Sequence, residues 1–392
     1  MPDGQELDNL SIDLVDDIRV ISAGDWDACL RDTPGGADNP FLRHAFLAAM
    51  ESSGSVGGDT GWDPRHVAVR DGTGRLLGIA PLYVKYHSYG EYVFDHGWAN
   101  ALDQAGGNYY PKLQSAVPFT PVTGPRLLVR ADAPPGVHGA IIATLSGLAR
   151  RNDLSGTHVT FPNEADHDRF VGAGWLSRIG MQYHWDNRGY RSFDDFLGAF
   201  SSRKRKMVRK ERQCVAESGL QLFTLTGADI RDEHWDAFDR LYRSTSDRKW
   251  GSPYLTREFF FQLGQDMADR VVLVMARDGT RWVGGALNML GETTLYGRNW
   301  GGSEAYPFLH FEACYYRAID FAIEHGLTRV EAGAQGEHKI QRGYLPVKTF
   351  SAHYIAHRGL RYAVTDFLLK ERAAIEEHMA ELMQESPYRQ EG

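Results

Sequence analysis

Cysteine is scarce. Cys29, Cys214 and Cys314 are the only three in 392 residues, and no two form a C-x-x-C pair. An odd, dispersed set excludes a disulfide framework and a cysteine zinc site, and indicates a reducing compartment. No run of 18 apolar residues occurs, so no membrane-spanning helix is expected. The first 17 residues are acidic and carry no apolar stretch, which reads as a solvated tail rather than a secretory signal. A cytoplasmic location follows. Positive charge is not in excess either: 43 Lys and Arg stand against 51 Asp and Glu, a net charge of −8. Any contact with nucleic acid must then come from a local patch. His353 and His357 lie four apart on an expected strand with no third ligand in view, so no metal is expected.

What is present is a repetition. Val69–Tyr83 reads V-R-D-G-T-G-R-L-L-G-I-A-P-L-Y, and Ala276–Met289 reads A-R-D-G-T-R-W-V-G-G-A-L-N-M. Each has a strand-like run, an Arg-Asp-Gly-Thr turn and a second strand. An aromatic strand, a Gly-rich loop and a helix follow in both halves. Short strands at Thr157–Phe161 and Thr328–Ala332 come next, and the echo ends at Gly174-Trp175 and Gly343-Tyr344. A duplication this long means tandem domains, because solenoid repeats are only about 20–50 residues. The boundaries read as a tail at 1–17, a first domain at 18–188 and a second at 189–392. A late strand at 349–357 is a candidate to cross back and complete the first. Hairpins followed by β-α-β patterns give an α/β fold with mixed sheets. Clefts between domains favour ligands.

Residues 99–124 show no clear period and read as a long functional loop. Within 106–126, Tyr109, Tyr110, Lys112, Phe119, Thr120 and Arg126 suit substrate recognition, or packing between domains. Glu91–Trp98 reads as a strand. Arg203, Lys204, Arg205, Lys206, Arg209 and Lys210 crowd one basic helix, which suits either solvent or a phosphate-rich partner such as a tRNA end. Arg298, Gly301, Gly302 and Ser303 follow a strand and precede a helix at 308–325. Backbone N–H groups of such a loop can hold phosphate; a tight turn is the alternative. The segment 331–344 is densest, with Gln335, Glu337, His338, Lys339 and Arg342 at the end of an expected strand, where open α/β sheets place ligands. Amide formation needs a base for the amine and a donor for the oxyanion. Glu337 or His338 suits the first role, and Lys339 or Arg342 the second. Glu312, on the helix after the glycines, is placed near the cleft, and no cysteine or serine lies beside an evident base.

These residues carry a resemblance. P-F-L-H-F-E-A-C-Y-Y (307–316), E-A-G-A-Q-G-E-H-K-I-Q-R-G-Y-L-P (331–346), Y-Y-P-K-L (109–113), P-F-T-P-V-T-G-P-R-L-L (118–128) and S-S-R-K-R-K (201–206) resemble the FemAB-like peptidoglycan biosynthesis/recognition family of the GNAT acyltransferase superfamily. The resemblance implies two tandem GNAT-like domains, each a mixed, mostly antiparallel sheet flanked by helices. It also implies amide-bond formation by direct transfer, with aminoacyl-tRNA slightly favoured over acyl-CoA as co-substrate and no tightly bound cofactor. Lys339 looks like the lysine that stabilises negative charge in Fem-type transferases. The chain lacks the long helical arm of some Fem proteins and retains R-x-x-G-x-S at 298–303, one step from the GNAT pyrophosphate loop. An acyl-CoA-dependent N-acyltransferase and a non-catalytic recognition module are the other readings.

Overall fold

The computed structural model describes residues 9–249, 252–303, 305–333 and 336–389. The chain divides into two compact units. One runs to Gly180 and takes up Lys348–Glu376; the other is Met181–Val347 with the residues from Glu377 onward.

The first unit contains β1 (Ser11–Val15), β2 (Trp62–Pro64), β3 (His66–Arg70), β4 (Leu76–Ala80), β5 (Tyr83–Lys85), β6 (Lys112–Ser115), β7 (Leu128–Val129) and β8 (Gly156–Thr160). Strand β9 (Leu176–Asp186) carries the chain out of it. A small antiparallel sheet has the order β1-β3-β4-β7. Beside β8 lie β6, β5 and β2 on one side and, on the other, the later strand β15 (Leu345–Ile355). Only β6 and β8 run parallel.

Because strand side chains alternate, each face of this sheet has its own chemistry. Leu113, Val159 and Ala352 pack with Ile141, Leu145 and Leu148 of the helix Val137–Arg151. The middle of the opposite face is polar, with Trp62, Pro64 and Ile355 at its margins. Tyr83 and Lys85 pair with Gln114 and Lys112, Gln114 with His158, and His158 with His353, while Thr160 pairs with Ser351. All eight are buried.

The second unit contains β10 (Gln221–Thr226), β11 (Val271–Asp278), β12 (Arg281–Leu290), β13 (Thr294–Gly302) and β14 (Arg329–Glu331), ordered β10-β11-β12-β13-β14 and then the end of β9. The first four form an antiparallel meander, and β13 and β14 are parallel. Gly301 lets the helix Asp232–Lys249 close on β13: a Cβ there would stand 2.4 Å from the Leu241 backbone.

The repeated Arg-Asp-Gly-Thr turns close two matching hairpins, β3–β4 and β11–β12. Each has a register shift at its arginine, Val69/Arg70 in one and Ala276/Arg277 in the other. Several expectations are corrected. No strand covers 91–98; a loop leads into the helix His96–Gln104, and the expected long loop also contains β6. The glycine-rich 298–302 is strand, not loop. The expected helix at 308–325 is interrupted by a π turn, Glu312–Tyr316, between Leu309–Phe311 and Arg317–Glu324.

Candidate active site

In the second unit β14 ends at Glu331, and the chain reaches the 3-10 helix Glu337–Arg342 before turning at Gly343. Two left-handed glycines bound this short helix, Gly336 at φ +100° and Gly343 at φ +92°. A side chain at Gly343 would be strained and would press on Phe196.

Lys339 points inward from this turn and is 4% exposed. Its Nζ donates to the carbonyl oxygens of Ala332 (2.6 Å) and Gly333 (3.3 Å), and lies 5.6 Å from the Tyr183 ring centroid. Burial pulls its pKa down to about 8, partly opposed by Cys314 and helped by the charge of Arg298. His338 is the neighbouring group. Its Nε2 is 3.0 Å from the Tyr315 hydroxyl, and its ring packs 5.3 Å from Phe311. His338 is exposed on one side, and its partial burial, then the charges of Arg342 and Lys339, lower its pKa, which favours the neutral imidazole. Tyr315 belongs to the π turn, a distortion often found at functional sites.

The surrounding charges hold the turn. Arg342 donates to Glu211 (2.6 and 3.1 Å) and through Nη1 to the His338 carbonyl (2.7 Å), while its guanidinium lies 3.5 Å over Phe311. Tyr316 donates its hydroxyl to Glu211. Glu312 is buried and accepts from Arg212 and Arg317, with Arg212 also bridging to Asp320. Arg342 and Glu312 are therefore committed internally, against the expectation that they face a substrate. Glu337 also departs from the expected inward base: it is exposed, 3.6 Å from His378. Gln335 lies outside the described residues. Sequence reasoning missed Tyr315, Tyr316 and Glu211, although Glu211 was visible as the one acid in a basic run.

The donor-binding candidates also fall in this unit. Arg298, Gly301 and Gly302 are strand residues opposite Leu287, Gly285 and Gly284 of β12 or next to that register. The Gly302 N–H donates to the Thr245 hydroxyl (3.0 Å) and the Ser303 N–H to the Val283 carbonyl (2.9 Å). The expected N–H cradle is thus engaged by the protein itself. The basic helix Ser202–Ala216 buries Val208, Glu211 and Val215 and exposes Arg203, Lys206, Arg209 and Lys210, with Lys204 and Arg205 half-buried. Arg209 pairs with Asp194 at 2.9 Å. Among the described residues, no ion pair engages the other five cations.

The loop candidates lie in the first unit and turn inward. Tyr109 donates to Asp95 (2.7 Å), and Lys112 to Asp95 (2.5 Å), Glu91 (2.7 Å) and Ser88 (2.9 Å). Lys112 is fully buried, and Glu91 and Asp95 outweigh that burial and raise its pKa. Burial pushes Glu91 up and Lys85 down, each to about 7. Tyr110 is half-buried against Ser88 (2.7 Å). Phe119 and Thr120 are buried. Arg126 is also fully buried, donating to the carbonyls of Thr160, Gly124, Pro125 and Val122. A proline-rich loop has few N–H groups with which to satisfy buried carbonyls, and the guanidinium supplies them. Arg126 and Thr120 hold the loop rather than face a ligand. Among the described residues, no group of three or more His, Cys, Asp or Glu is set to hold a metal ion. No helix of the described residues is long and apolar enough to cross a membrane.

Comparison with known proteins places this architecture. Among solved structures, FemX is similar with a TM-score of 0.55 at 12% identity, covering 88% of this chain and 98% of that one. L-PGS from Bacillus licheniformis gives 0.54 at 11%, covering 89% and 97%. The C-terminal domain of a lysylphosphatidylglycerol synthetase assigned in Agrobacterium fabrum gives 0.52 at 9%, covering 89% and 95%. At these identities the likeness is one of fold alone. A search of curated proteins finds no match. The family model described as peptidoglycan biosynthesis/recognition matches residues 17–390. The chain belongs to the FemAB-like family.

Proposed function

We propose that the second unit catalyses amide-bond formation between an activated aminoacyl donor and an amine of a peptidoglycan precursor. The observation that carries this reading is Lys339: a buried ammonium with a lowered pKa, beside an imidazole of lowered pKa hydrogen-bonded to a tyrosine. The acceptor amine attacks the ester carbonyl in its neutral form; as the C–N bond forms, His338 takes the proton that the nitrogen sheds, and the Lys339 ammonium stabilises the oxyanion. Collapse expels the ribose hydroxyl, which recovers a proton through the Tyr315–His338 pair. No covalent enzyme intermediate forms.

The donor we favour is aminoacyl-tRNA. Five cations of the basic helix have no internal ion pair, whereas the Gly302 and Ser303 N–H groups that a CoA pyrophosphate would need are already bonded. The test supplies purified protein with aminoacyl-tRNA or acyl-CoA and a precursor pentapeptide amine, at several salt concentrations. Transfer from aminoacyl-tRNA is expected, steeply weakened by salt, with a log–log slope near −0.7 per contacted single-strand phosphate. Replacing Arg203, Lys204, Arg205, Lys206 and Lys210 by Gln should flatten that slope. Transfer from acyl-CoA that is indifferent to the five changes would reverse the donor assignment.

A further inference from the structure

The first unit holds two features the proposed reaction does not use: a buried cluster of lysines and carboxylates, and an arc of exposed aromatic rings directly above it in sequence. Between Tyr86 and His96, Tyr86, Tyr89 and Phe94 are 53%, 61% and 59% exposed. Ring contacts run continuously from His87 to Tyr89 (5.0 Å), Tyr89 to His96 (6.2 Å) and His96 to Phe94 (6.3 Å, stacked). Isolated surface aromatics need no explanation, but a connected arc on one loop does.

The loop is held from beneath by buried groups. Lys85 Nζ and Trp62 Nε1 both donate to the Tyr89 carbonyl, each at 3.2 Å. Lys112 holds Ser88, Glu91 and Asp95 at 2.9, 2.7 and 2.5 Å. Arg178, itself clamped by Glu371, donates to the Phe94 carbonyl at 2.8 Å. Gly90 sits at φ +79°, and a side chain there would strike Phe119. Four charged groups, Lys85, Glu91, Asp95 and Lys112, are thus buried and paired beneath the loop.

We infer that this arc is a saccharide-binding surface. An exposed run of aromatic rings matches the apolar face of a pyranose ring, and the phenol and imidazole edges match its hydroxyls. Charge selects among partners. Both acids of the loop, Glu91 and Asp95, are buried, so its outer surface carries no permanent charge. Phosphate-rich nucleic acid and anionic membrane surfaces both call for exposed Lys or Arg, which the loop lacks. The backbone that carries Tyr89 and Phe94 is also held before binding, which lowers the ordering cost of a weak, stacking-based interaction. The inference concerns binding alone and stands apart from the transferase reading.

The test titrates the full chain with tetra-N-acetylchitotetraose and with cellotetraose, following the aromatic proton resonances by NMR. A stem pentapeptide and phosphatidylglycerol vesicles serve as the other arms. Saturable shifts with at least one saccharide are expected, and Tyr89→Ala and Phe94→Ala should each weaken binding about tenfold, equivalent to about 1.4 kcal/mol. Both positions are exposed, and an unchanged melting temperature verifies the fold. Absence of saccharide binding, saccharide binding that the two changes leave intact, or saturable binding of the pentapeptide or vesicles alone would overturn the inference.

Discussion

Glu211 and Arg342, 131 residues apart, are joined by two hydrogen bonds of 2.6 and 3.1 Å in the interior of the second unit. Arg342 also holds the His338 carbonyl, so one buried carboxylate on the basic helix fixes the turn that carries His338 and Lys339. Glu211→Gln leaves a buried guanidinium without its counter-charge. The expected loss is about 3 kcal/mol of stability in urea unfolding, in the range for removing one partner of a buried pair. Arg342→Lys should not behave as wild type, because an ammonium cannot form the same fork. Wild-type unfolding of both variants would dismiss the clamp.

Lys339 gives an expectation with a definite sign. Its folded pKa, about 8, lies below the ordinary lysine value of 10.5. The unfolded chain therefore binds more protons between those values, and this group favours folding progressively more as pH rises from 8 to 10.5. Below pH 8 the burial penalty is at its full size. The stability difference between Lys339→Met and wild type should shift in favour of wild type by about 1–3 kcal/mol between pH 7 and pH 10. A difference that does not vary with pH would rule out a depressed pKa. In turnover assays Lys339→Ala should lower kcat by about 10²-fold.

Lys112 is the keystone of the buried cluster in the first unit. Lys112→Met removes the ammonium that Glu91 and Asp95 share, and should cost about 3–5 kcal/mol. Because Asp95 is held strongly ionised chiefly by Lys112 against its own burial, the variant's stability should recover as pH falls and the carboxyls protonate. Thermal melts at pH 5 and pH 8 separate the outcomes; an equal loss at both would contradict the electrostatic account.

Gly301→Ala places a methyl against the backbone of Leu241, where no side-chain rotation can relieve the contact. A loss of about 1–3 kcal/mol is expected, typical of overpacking. Calorimetry showing no change would mean that the helix and β13 are free to separate.

Much of this architecture was legible in the sequence. The two Arg-Asp-Gly-Thr turns marked two real hairpins, because Asp-Gly punctuation between alternating strands is a local signal. The short strand that leads into the 331–344 segment was legible too, although Lys339 itself lies in a 3-10 helix beyond it. What failed was the inference from residue type to exposure. Lys112, Arg126, Arg342 and Glu312 are charged, and charge reads as surface or site, yet each is buried by partners dozens to hundreds of residues away. Gly301 and Gly302 read as a phosphate loop because glycine permits both a tight turn and a close approach; only the neighbouring helix decides between them. The π turn at Glu312–Tyr316 left no local mark, since the run around it has ordinary helical periodicity.

The polar sheet face has a consequence for how the chain is made. His158 meets His353 across 195 residues of intervening sequence, at 2.8 Å. At ribosomal rates of about 5–20 residues per second, strand β8 waits roughly 10–40 s for its neighbour to be synthesised. Throughout that interval its edge toward β15 is unpaired, and His158 has Tyr109 but not yet His353. Apolar collapse onto the helix Val137–Arg151 orders one face of the sheet, while the other face still lacks Ser351 and His353. A message cut short before codon 348 is therefore expected to yield a first unit with the β8 edge open, the kind of edge on which chains aggregate.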